Sequence, residues 1–210
     1  MNSLTFSKIR YKILKNLENE NGEFIIDSYG TSTSFSEFHR IVRNISVRLP
    51  AQSRKIVILA EKNAMNYAAI LATVLSGRTW IPISEIIPVN AIEEILLSCE
   101  PDIVLVSKNI AENKLNTLTS FKDKTIILED LAAEWAGDML EWPTVNSELT
   151  AIIYHTSGST GIPKGVEISF SNLSAALLNT VYLYADDELV WGDYHDLSFV
   201  ISINIFFSCL

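Results

Sequence analysis

Short, uninterrupted apolar segments alternate with stretches of helical spacing along the middle of this 210-residue chain. Residues 56–60, 103–106 and 125–128 are the clearest of these segments, and each is rich in isoleucine, valine or leucine. Such runs are typical of strands in a sheet that is covered on both faces. Residues 64–75 are apolar nearly all round and predict a buried helix between two strands. Strands that alternate with helices of this length predict an α/β fold with a mostly parallel sheet.

Periodicity and capping signals predict the remaining elements. Ser34 and Glu37 form a capping box at the start of one helix, Asn63 is the expected cap of the helix 64–75, and Gly77 is expected to end that helix. The other predicted strands are 23–27, 80–83, 151–154, 166–169 and 189–191. The other predicted helices are one through Phe6, Ile9, Ile13 and Leu17, one at 91–99, one capped by Ser171 or Asn172 and running to about 182, and one at 199–210.

Residues 129–148 differ in character from the rest of the chain. They include six acidic residues and no lysine or arginine, and tryptophans stand at 135 and 142. One interpretation is an acidic site for a cationic partner. We favour a solvated connecting segment whose tryptophans lie against the domain, because a run of like charge is usually a solvated surface.

The composition excludes several classes of protein. A hydrophobic content of 48% with 20% charged residues is typical of a globular chain. The net charge of −9 argues against a nucleic-acid partner, because affinity for a phosphate backbone depends on clustered lysine and arginine. No apolar run reaches the roughly 20 residues of a membrane span, and basic residues interrupt the first apolar positions where a secretory signal would be continuous. We therefore expect a soluble, cytoplasmic protein.

One run near the end of the chain carries most of the chemistry. Residues 156–165 read Thr-Ser-Gly-Ser-Thr-Gly-Ile-Pro-Lys-Gly, and they stand between the predicted strands 151–154 and 166–169. Small residues leave successive backbone N–H groups uncovered, so such a turn can surround an anion. Hydroxyl groups and one lysine add donors and positive charge. The alternative is a polar hairpin turn without a ligand. The run is not a Walker A loop, because Pro163 precedes Lys164 and Gly165 follows it.

This run resembles the signature loop of the adenylate-forming superfamily, which includes acyl- and aryl-CoA ligases, luciferases and nonribosomal-peptide adenylation domains. Residues 33–38 resemble an early Leu-Thr-Tyr-x-Glu-Leu element of the same superfamily, and residues 75–83 resemble its Leu-Lys-Ala-Gly-x-Ala-Tyr-Val-Pro element. Two departures stand out: Ser84 replaces a usual aspartate, which we expect to affect packing more than chemistry, and Phe170 replaces a histidine that many members carry.

The resemblance implies a set of nucleotide-binding residues. These are Thr156, Ser157, Gly158, Ser159, Thr160, Gly161 and Lys164. Their amides and hydroxyls would hold the β- and γ-phosphates of ATP, and the lysine would offset the charge of departing pyrophosphate. The resemblance also implies Mg²⁺ as a cofactor, with its ligand outside this sequence, and it places no catalytic residue in this chain.

The resemblance further implies a substrate-contacting element at His195 and Asp196. In relatives that activate amino acids the aspartate holds the substrate ammonium, and a carboxylate at a partly desolvated wall pairs well with an amine. The alternative is that Asp196 only caps the apolar helix that follows. His195 lines the pocket or is a packed, hydrogen-bonded histidine, and a base role for His195 or His155 is a further hypothesis.

Taken together, the sequence predicts the amino-terminal part of an ATP-dependent carboxylate-activating ligase. An amino acid is the first choice of substrate and fatty or aryl acids are the alternatives; the acyl acceptor would be CoA or a carrier-protein pantetheine. Residues 1–210 would form an incomplete AMP-binding domain, because the apolar segment 199–210 lacks a C-cap and the carboxy-terminal catalytic domain is absent, so we expect no activity from the chain alone. The other readings are a non-catalytic or split relative completed by a missing half, and an unrelated phosphate-binding enzyme such as a kinase.

Overall fold

The computed structural model describes six stretches of the chain: residues 6–19, 22–114, 119–133, 141–156, 163–184 and 190–210. The helices are α1 (Phe6–Asn19), α2 (Phe35–Arg48), α3 (Ala64–Leu75), α4 (Val89–Cys99), α5 (Lys108–Asn113), α6 (Leu128–Ala133), α7 (Phe170–Tyr184) and α8 (Val200–Ser208), with a 3-10 helix at Thr119–Lys124. The strands are β1 (Glu23–Ile26), β2 (Ser32–Ser34), β3 (Lys55–Leu59), β4 (Thr79–Pro82), β5 (Ile103–Val106), β6 (Thr125–Ile127), β7 (Thr150–Thr156) and β8 (Lys164–Ser169).

A six-stranded sheet in the order β6-β5-β3-β4-β7-β8 forms the centre of the fold. All its neighbouring pairs are parallel except β7 and β8, which are antiparallel. The predicted α/β class with a mostly parallel sheet is therefore confirmed. Strands β1 and β2 form a separate antiparallel pair beside α2.

Alternate residues of the central strands contribute to two hydrophobic cores, one on each face of the sheet. In β3, Ile56 and Ile58 belong to the larger core, whereas Val57 and Leu59 belong to the smaller one. The larger core includes residues of α1, α2, α3, α6, α7 and α8, and the smaller one includes residues of α4 and α5. The period of two in a strand requires this division, and it explains why the strands are apolar throughout rather than alternating.

Local signals place the helix ends that the sequence predicted. The Ser34 Oγ accepts a hydrogen bond from the Glu37 backbone N–H at 3.2 Å, and Asn63 caps α3 in the same way. Helix α3 ends in a Schellman arrangement: Gly77 N–H donates to the Val74 carbonyl at 3.0 Å, and Arg78 N–H donates to the Thr73 carbonyl at 3.1 Å.

Three predicted elements are wrong in detail. Helix α7 begins at Phe170 and its cap is Ser169, two residues before the earlier of the two expected caps; the Ser169 Oγ accepts from the Asn172 N–H at 3.2 Å. Val190 and Trp191 lie in neither a strand nor a helix. The supposed connecting segment begins with helix α6, because Leu128 and Leu131 are buried there at helical spacing.

Two further expectations concern the same region and the whole chain. The tryptophan at position 142 packs partly buried against the larger core, as expected, whereas position 135 lies outside the described residues. Across the described residues, no helix combines the length and apolar character needed to cross a bilayer.

The turn at Gly77 allows a test of the packing between the end of α3 and Val145, which precedes strand β7. Gly77 has a φ of +71°, and a Cβ there would lie 3.0 Å from Val145 Cγ2; Gly30 has a φ of +82° with nothing within 4 Å. We expect Gly30→Ala to cost about 1–2 kcal/mol of unfolding free energy from backbone strain alone. Gly77→Ala should cost about 1 kcal/mol more, because the buried valine must move.

Urea unfolding measures the cost of the backbone strain and the cost of the contact with Val145. The variants are Gly30→Ala, Gly77→Ala, and Gly77→Ala combined with Val145→Ala. The double variant should show a favourable coupling between the two changes, since the smaller residue removes the clash but not the strain. The proposed contact would be contradicted if the two glycine variants lost equal unfolding free energy and if the effects of Gly77→Ala and Val145→Ala were additive.

Candidate functional site

The hairpin formed by β7 and β8 holds both ends of the predicted phosphate loop. The two strands pair residue by residue from Ile152 with Ile168 to Thr156 with Lys164. Thr156 and Lys164 are therefore cross-strand neighbours, and both are exposed where the strands end. Of the predicted nucleotide-binding residues these two are described; the others, Ser157, Gly158, Ser159, Thr160 and Gly161, lie outside the described residues.

The pairing of β7 with β4 fixes which edge of the sheet carries this loop. The two strands are parallel and Trp80 pairs with Ile152. Ser84 follows Trp80 by four residues, and Thr156 follows Ile152 by four residues. The two segments therefore reach the same height at the carboxyl ends of neighbouring strands. Ligands of open α/β sheets bind outside this edge. The two ends of the predicted loop, Thr156 and Lys164, thus lie at the same edge of the sheet as the segment after β4.

His155 lies at the base of the loop and is half-buried. Its cross-strand partner is Gly165, and a Cβ at that glycine would lie 3.6 Å from the His155 Nε2 and 3.0 Å from Ile153 Cγ2. Burial lowers the pKa of the His155 imidazole below its ordinary value. The side chain is consequently neutral at neutral pH, and the positive charge beside the loop comes from Lys164.

Asp196 lies in a turn that faces the ends of β3 and β4. We call residues 193–198 the Asp196 turn. The Ser84 Oγ donates to the Asp196 Oδ2 at 2.6 Å, and the Ser198 N–H donates to its Oδ1 at 2.8 Å. Helix α8 begins later, and its N-cap is Phe199, which has no side-chain acceptor. The capping alternative for Asp196 is therefore wrong: its carboxylate bonds to the turn and to β4's end instead.

A lysine and a tyrosine hold the start of the same turn. The Lys62 Nζ donates to the carbonyl oxygens of Asp193 and His195, each at 2.5 Å, and forms an ion pair with the Asp193 carboxylate at 3.0 Å. The Tyr67 hydroxyl donates to the other Asp193 oxygen at 2.5 Å. The His195 side chain is exposed and not packed, so the prediction of a packed histidine is wrong at this position.

A small cavity of about 30 Å³ separates the Asp196 turn from the sheet. Its polar lining residues are Lys62, Asn66, Ser84, Glu85 and Asp196. This volume accommodates one or two water-sized groups, such as a primary ammonium, and not a whole amino acid. The Asn66 Oδ1 is buried and has no hydrogen-bond partner within the described part of the chain. Asn66 thus brings an unsatisfied acceptor close to this cavity, which its side chain helps to line.

The charges around this cavity favour a cation. Burial raises the pKa of the Asp196 carboxyl, but hydrogen bonds from Ser198 and Ser84 and the charge of Lys62 lower it, and the net shift is downward. Burial and the charges of Glu61 and Asp196 raise the pKa of Glu85, although Lys114 opposes them. Asp196 is therefore ionised at neutral pH, and its negative charge helps to raise the pKa of Glu85.

The expected ligand of the Mg²⁺ ion lies outside this sequence. Within the described stretches, no three His, Cys, Asp or Glu side chains lie close enough together to hold a metal ion.

Sequence reasoning missed most of the residues that hold the Asp196 turn. Lys62 and Tyr67 bond to the turn, and Asn66 lines the cavity beside it. All three precede Asp196 by more than a hundred residues, and no local motif marks them. Ser84 was noted as a departure that affects packing, yet it makes a direct polar contact with Asp196. One available signal was the pair of charged residues after strand β3, Glu61 and Lys62. Residues at the carboxyl ends of parallel strands often line a site.

The architecture and this edge of the sheet define the chain as part of an adenylate-forming enzyme fold. The sequence profile described as "AMP-binding enzyme" matches residues 16–210, which is most of the chain. The protein belongs to this family and, with it, to the adenylate-forming superfamily.

Named relatives agree with this assignment. The nonribosomal peptide synthetase vlms of Lecanicillium sp. is 30% identical over 79% of this chain, which spans 2% of that protein. A D-alanine–D-alanyl carrier protein ligase of Listeria monocytogenes is 26% identical over 69% of the chain, which spans 29% of the ligase. The Vibrio cholerae adenylation domain AlmE, solved in complex with glycyl-adenosine-5'-phosphate, superposes with a TM-score of 0.77 at 20% identity. That superposition covers all of this chain and 43% of AlmE.

Proposed function

We propose that this chain supplies the pyrophosphate-binding loop and one wall of the acid-binding site of an ATP-dependent, carboxylate-activating ligase. The observation that carries the proposal is that two neighbouring parallel strands, β4 and β7, end at the same height in the sheet. Thr156 at the end of β7 and Ser84 just beyond β4 therefore lie side by side. A nucleotide phosphate at the first and a substrate group at the second would lie at adjacent strands, whose spacing is roughly 4.8 Å. Membership of the AMP-binding family supports the same reading.

In the reaction we propose, an oxygen of the substrate carboxylate attacks the α-phosphorus of ATP. The bond from that phosphorus to the bridging oxygen breaks, and pyrophosphate leaves with the electron pair as an acyl-adenylate forms. Displacement at phosphorus is accelerated mainly by positioning and by stabilising charge. Residues 156–161 would surround the leaving pyrophosphate with N–H and hydroxyl donors, and Lys164 would offset its charge. The neutral His155 contributes no charge to this step.

The loop's role predicts a selective loss of anion binding in Lys164→Ala. A hydrogen bond to a charged group contributes about 1.5–3 kcal/mol, so affinity for inorganic pyrophosphate should fall about tenfold or more. Lys12→Ala removes an exposed lysine of α1 and serves as the matched control, with no change expected. Calorimetric titration of the 210-residue chain with pyrophosphate makes the measurement. Equal affinities for the two variants would contradict the role of Lys164.

An amino acid is the substrate class that we propose. The ionised Asp196, the buried Asn66 Oδ1 and the small size of the cavity all suit a primary ammonium group. The relatives named for D-alanine and the glycyl-adenylate complex of AlmE support the choice. Fatty and aryl acids are the alternatives, and they would offer no ammonium group to the partly buried Asp196 carboxylate.

Replacing Asp196 tests the substrate class. Asp196→Asn should weaken binding of small amino acids to this chain about tenfold or more, because a desolvated charge pair loses one partner, while pyrophosphate affinity stays constant. Asp102→Asn is the matched control: that carboxylate accepts the Arg54 and Lys55 N–H groups at the opposite edge of the sheet. Ligand-detected NMR with glycine, alanine and their deaminated analogues reads out binding. Equal losses of amino-acid and pyrophosphate binding would point to a purely structural aspartate.

We further propose that residues 1–210 form an amino-terminal part of the AMP-binding domain, and that a thiol of CoA or of a carrier-protein pantetheine accepts the acyl group. The chain spans 2% to 29% of the curated relatives described above, which supports the first point. We expect the isolated chain to give no acid-dependent exchange of pyrophosphate into ATP with amino, aryl or fatty acids. A radiolabel exchange assay checks this, and appreciable turnover would overturn it.

A further inference from the structure

The Asp196 turn is connected to the sheet by side chains from three different parts of the chain. Lys62 follows β3, Tyr67 lies on α3 and Ser84 follows β4. The first two bind Asp193 at the start of the turn, and Ser84 binds Asp196 itself. At the other side, the buried Ser202 Oγ donates to the carbonyls of His195 and Asp196 at 3.0 Å each. The backbone of the turn is therefore held from both directions.

The contact between Ser84 and Asp196 fixes the carboxylate within this frame. Ser84 is buried, at 8% exposure, so its hydroxyl has little competition from solvent. One carboxylate oxygen accepts from Ser84 and the other accepts from the Ser198 N–H. A carboxylate held through both oxygens cannot rotate freely about its terminal bond. Each oxygen still has a lone pair for a further donor, because an ionised carboxylate offers about four acceptor sites.

We propose that Ser84 is a positioning residue that aims the Asp196 carboxylate at the substrate amine. The proposal rests on the proposed role of Asp196 in amino-acid binding and extends it to a residue that itself contacts no substrate atom. Lys62 and Tyr67 fix the backbone of the turn, and Ser84 fixes the orientation of the reactive end of the side chain. A preorganised acceptor binds a cation with less loss of side-chain freedom than a mobile one.

The electrostatic setting agrees with this division of roles. The charge of Lys62 lowers the pKa of Asp196, and the same lysine pairs with the Asp193 carboxylate. On the other side, Asp196 and Glu61 raise the pKa of Glu85, so these carboxylates oppose the effect of the lysine. Removal of the Ser84 hydroxyl would leave burial to act with less opposition, and the pKa of Asp196 would rise. A serine that only filled space would not affect this titration.

The test uses the 210-residue chain in four forms: wild type, Ser84→Ala, Ser84→Thr and Ser46→Ala. Ser46 is a matched control because it is buried to a similar extent and its hydroxyl donates to the Val42 carbonyl at 2.7 Å, within α2. Carboxyl ¹³C NMR follows the titration of Asp196, with Asp196→Asn used to assign its signal. We expect a higher pKa in Ser84→Ala, a value near wild type in Ser84→Thr, and no change in Ser46→Ala.

Stability against pH gives a second readout. The folded-state pKa of Asp196 is lower than its ordinary value of about 3.9, so its stabilising contribution is present above that value and is lost as pH falls through the folded pKa. The stability difference between wild type and Ser84→Ala should therefore narrow below about pH 4. The difference between wild type and Ser46→Ala should stay constant across the same range.

The outcomes separate this proposal from the proposed function. An unchanged Asp196 titration in Ser84→Ala overturns the positioning role whatever the substrate is. A raised pKa in Ser84→Ala, with amino-acid binding unaffected by Asp196→Asn, supports the hydrogen bond but removes the substrate role. A raised pKa together with at least about tenfold weaker glycine binding in Ser84→Ala, restored in Ser84→Thr, supports both.

Discussion

The pairing of β4 with β7 is the constraint on which the candidate site depends. These strands are separated by about seventy residues of chain, and Trp80 pairs with Ile152 to set their register. The Thr79 Oγ1 also donates to the Thr150 carbonyl at 2.7 Å, which ties the beginnings of the two strands. A slip of one residue would move every side chain of β7 to the other face of the sheet. It would bury Ile153 against the wrong core and displace Thr156 from the level of Ser84.

The fold was predictable where burial and local chemistry act together. Strand β5 and helix α3 have the bounds that their apolar runs and caps indicate, because the same residues satisfy local propensity and core packing. Errors arose where one signal stood alone. Val190 and Trp191 are β-prone, but Val190 is fully exposed, so the segment gains no burial from becoming a strand. Acidic residues of α6 suggested a solvated connection, although its buried leucines determine the helix.

The site was predictable only as a list of residues. The glycine-rich run could be recognised from its own spacing, and Asp196 from its neighbours in the chain. The partners of Asp196 could not, because Ser84 and Lys62 reach it only through the packing of β3, β4 and the Asp196 turn. Such contacts join residues more than a hundred positions apart, and no periodicity encodes them. For the same reason the capping alternative for Asp196 was attractive in sequence and wrong in structure.

Different interactions fix the two parts of the candidate site: backbone pairing of strands positions Thr156 and Lys164, whereas side-chain contacts position the Asp196 turn. Strands β7 and β8 are paired along their backbones, so the positions of Thr156 and Lys164 depend on the sheet more than on any one side chain. The Asp196 turn has no strand of its own and depends on a few side-chain hydrogen bonds and one ion pair, in which Lys62 takes part in three contacts. Breaking one member of this partly buried charged network costs more than breaking an exposed pair would. A single substitution at Lys62 or Asp193 should therefore displace the Asp196 turn more readily than a single substitution displaces Thr156 or Lys164, whose backbone positions are set by strand pairing.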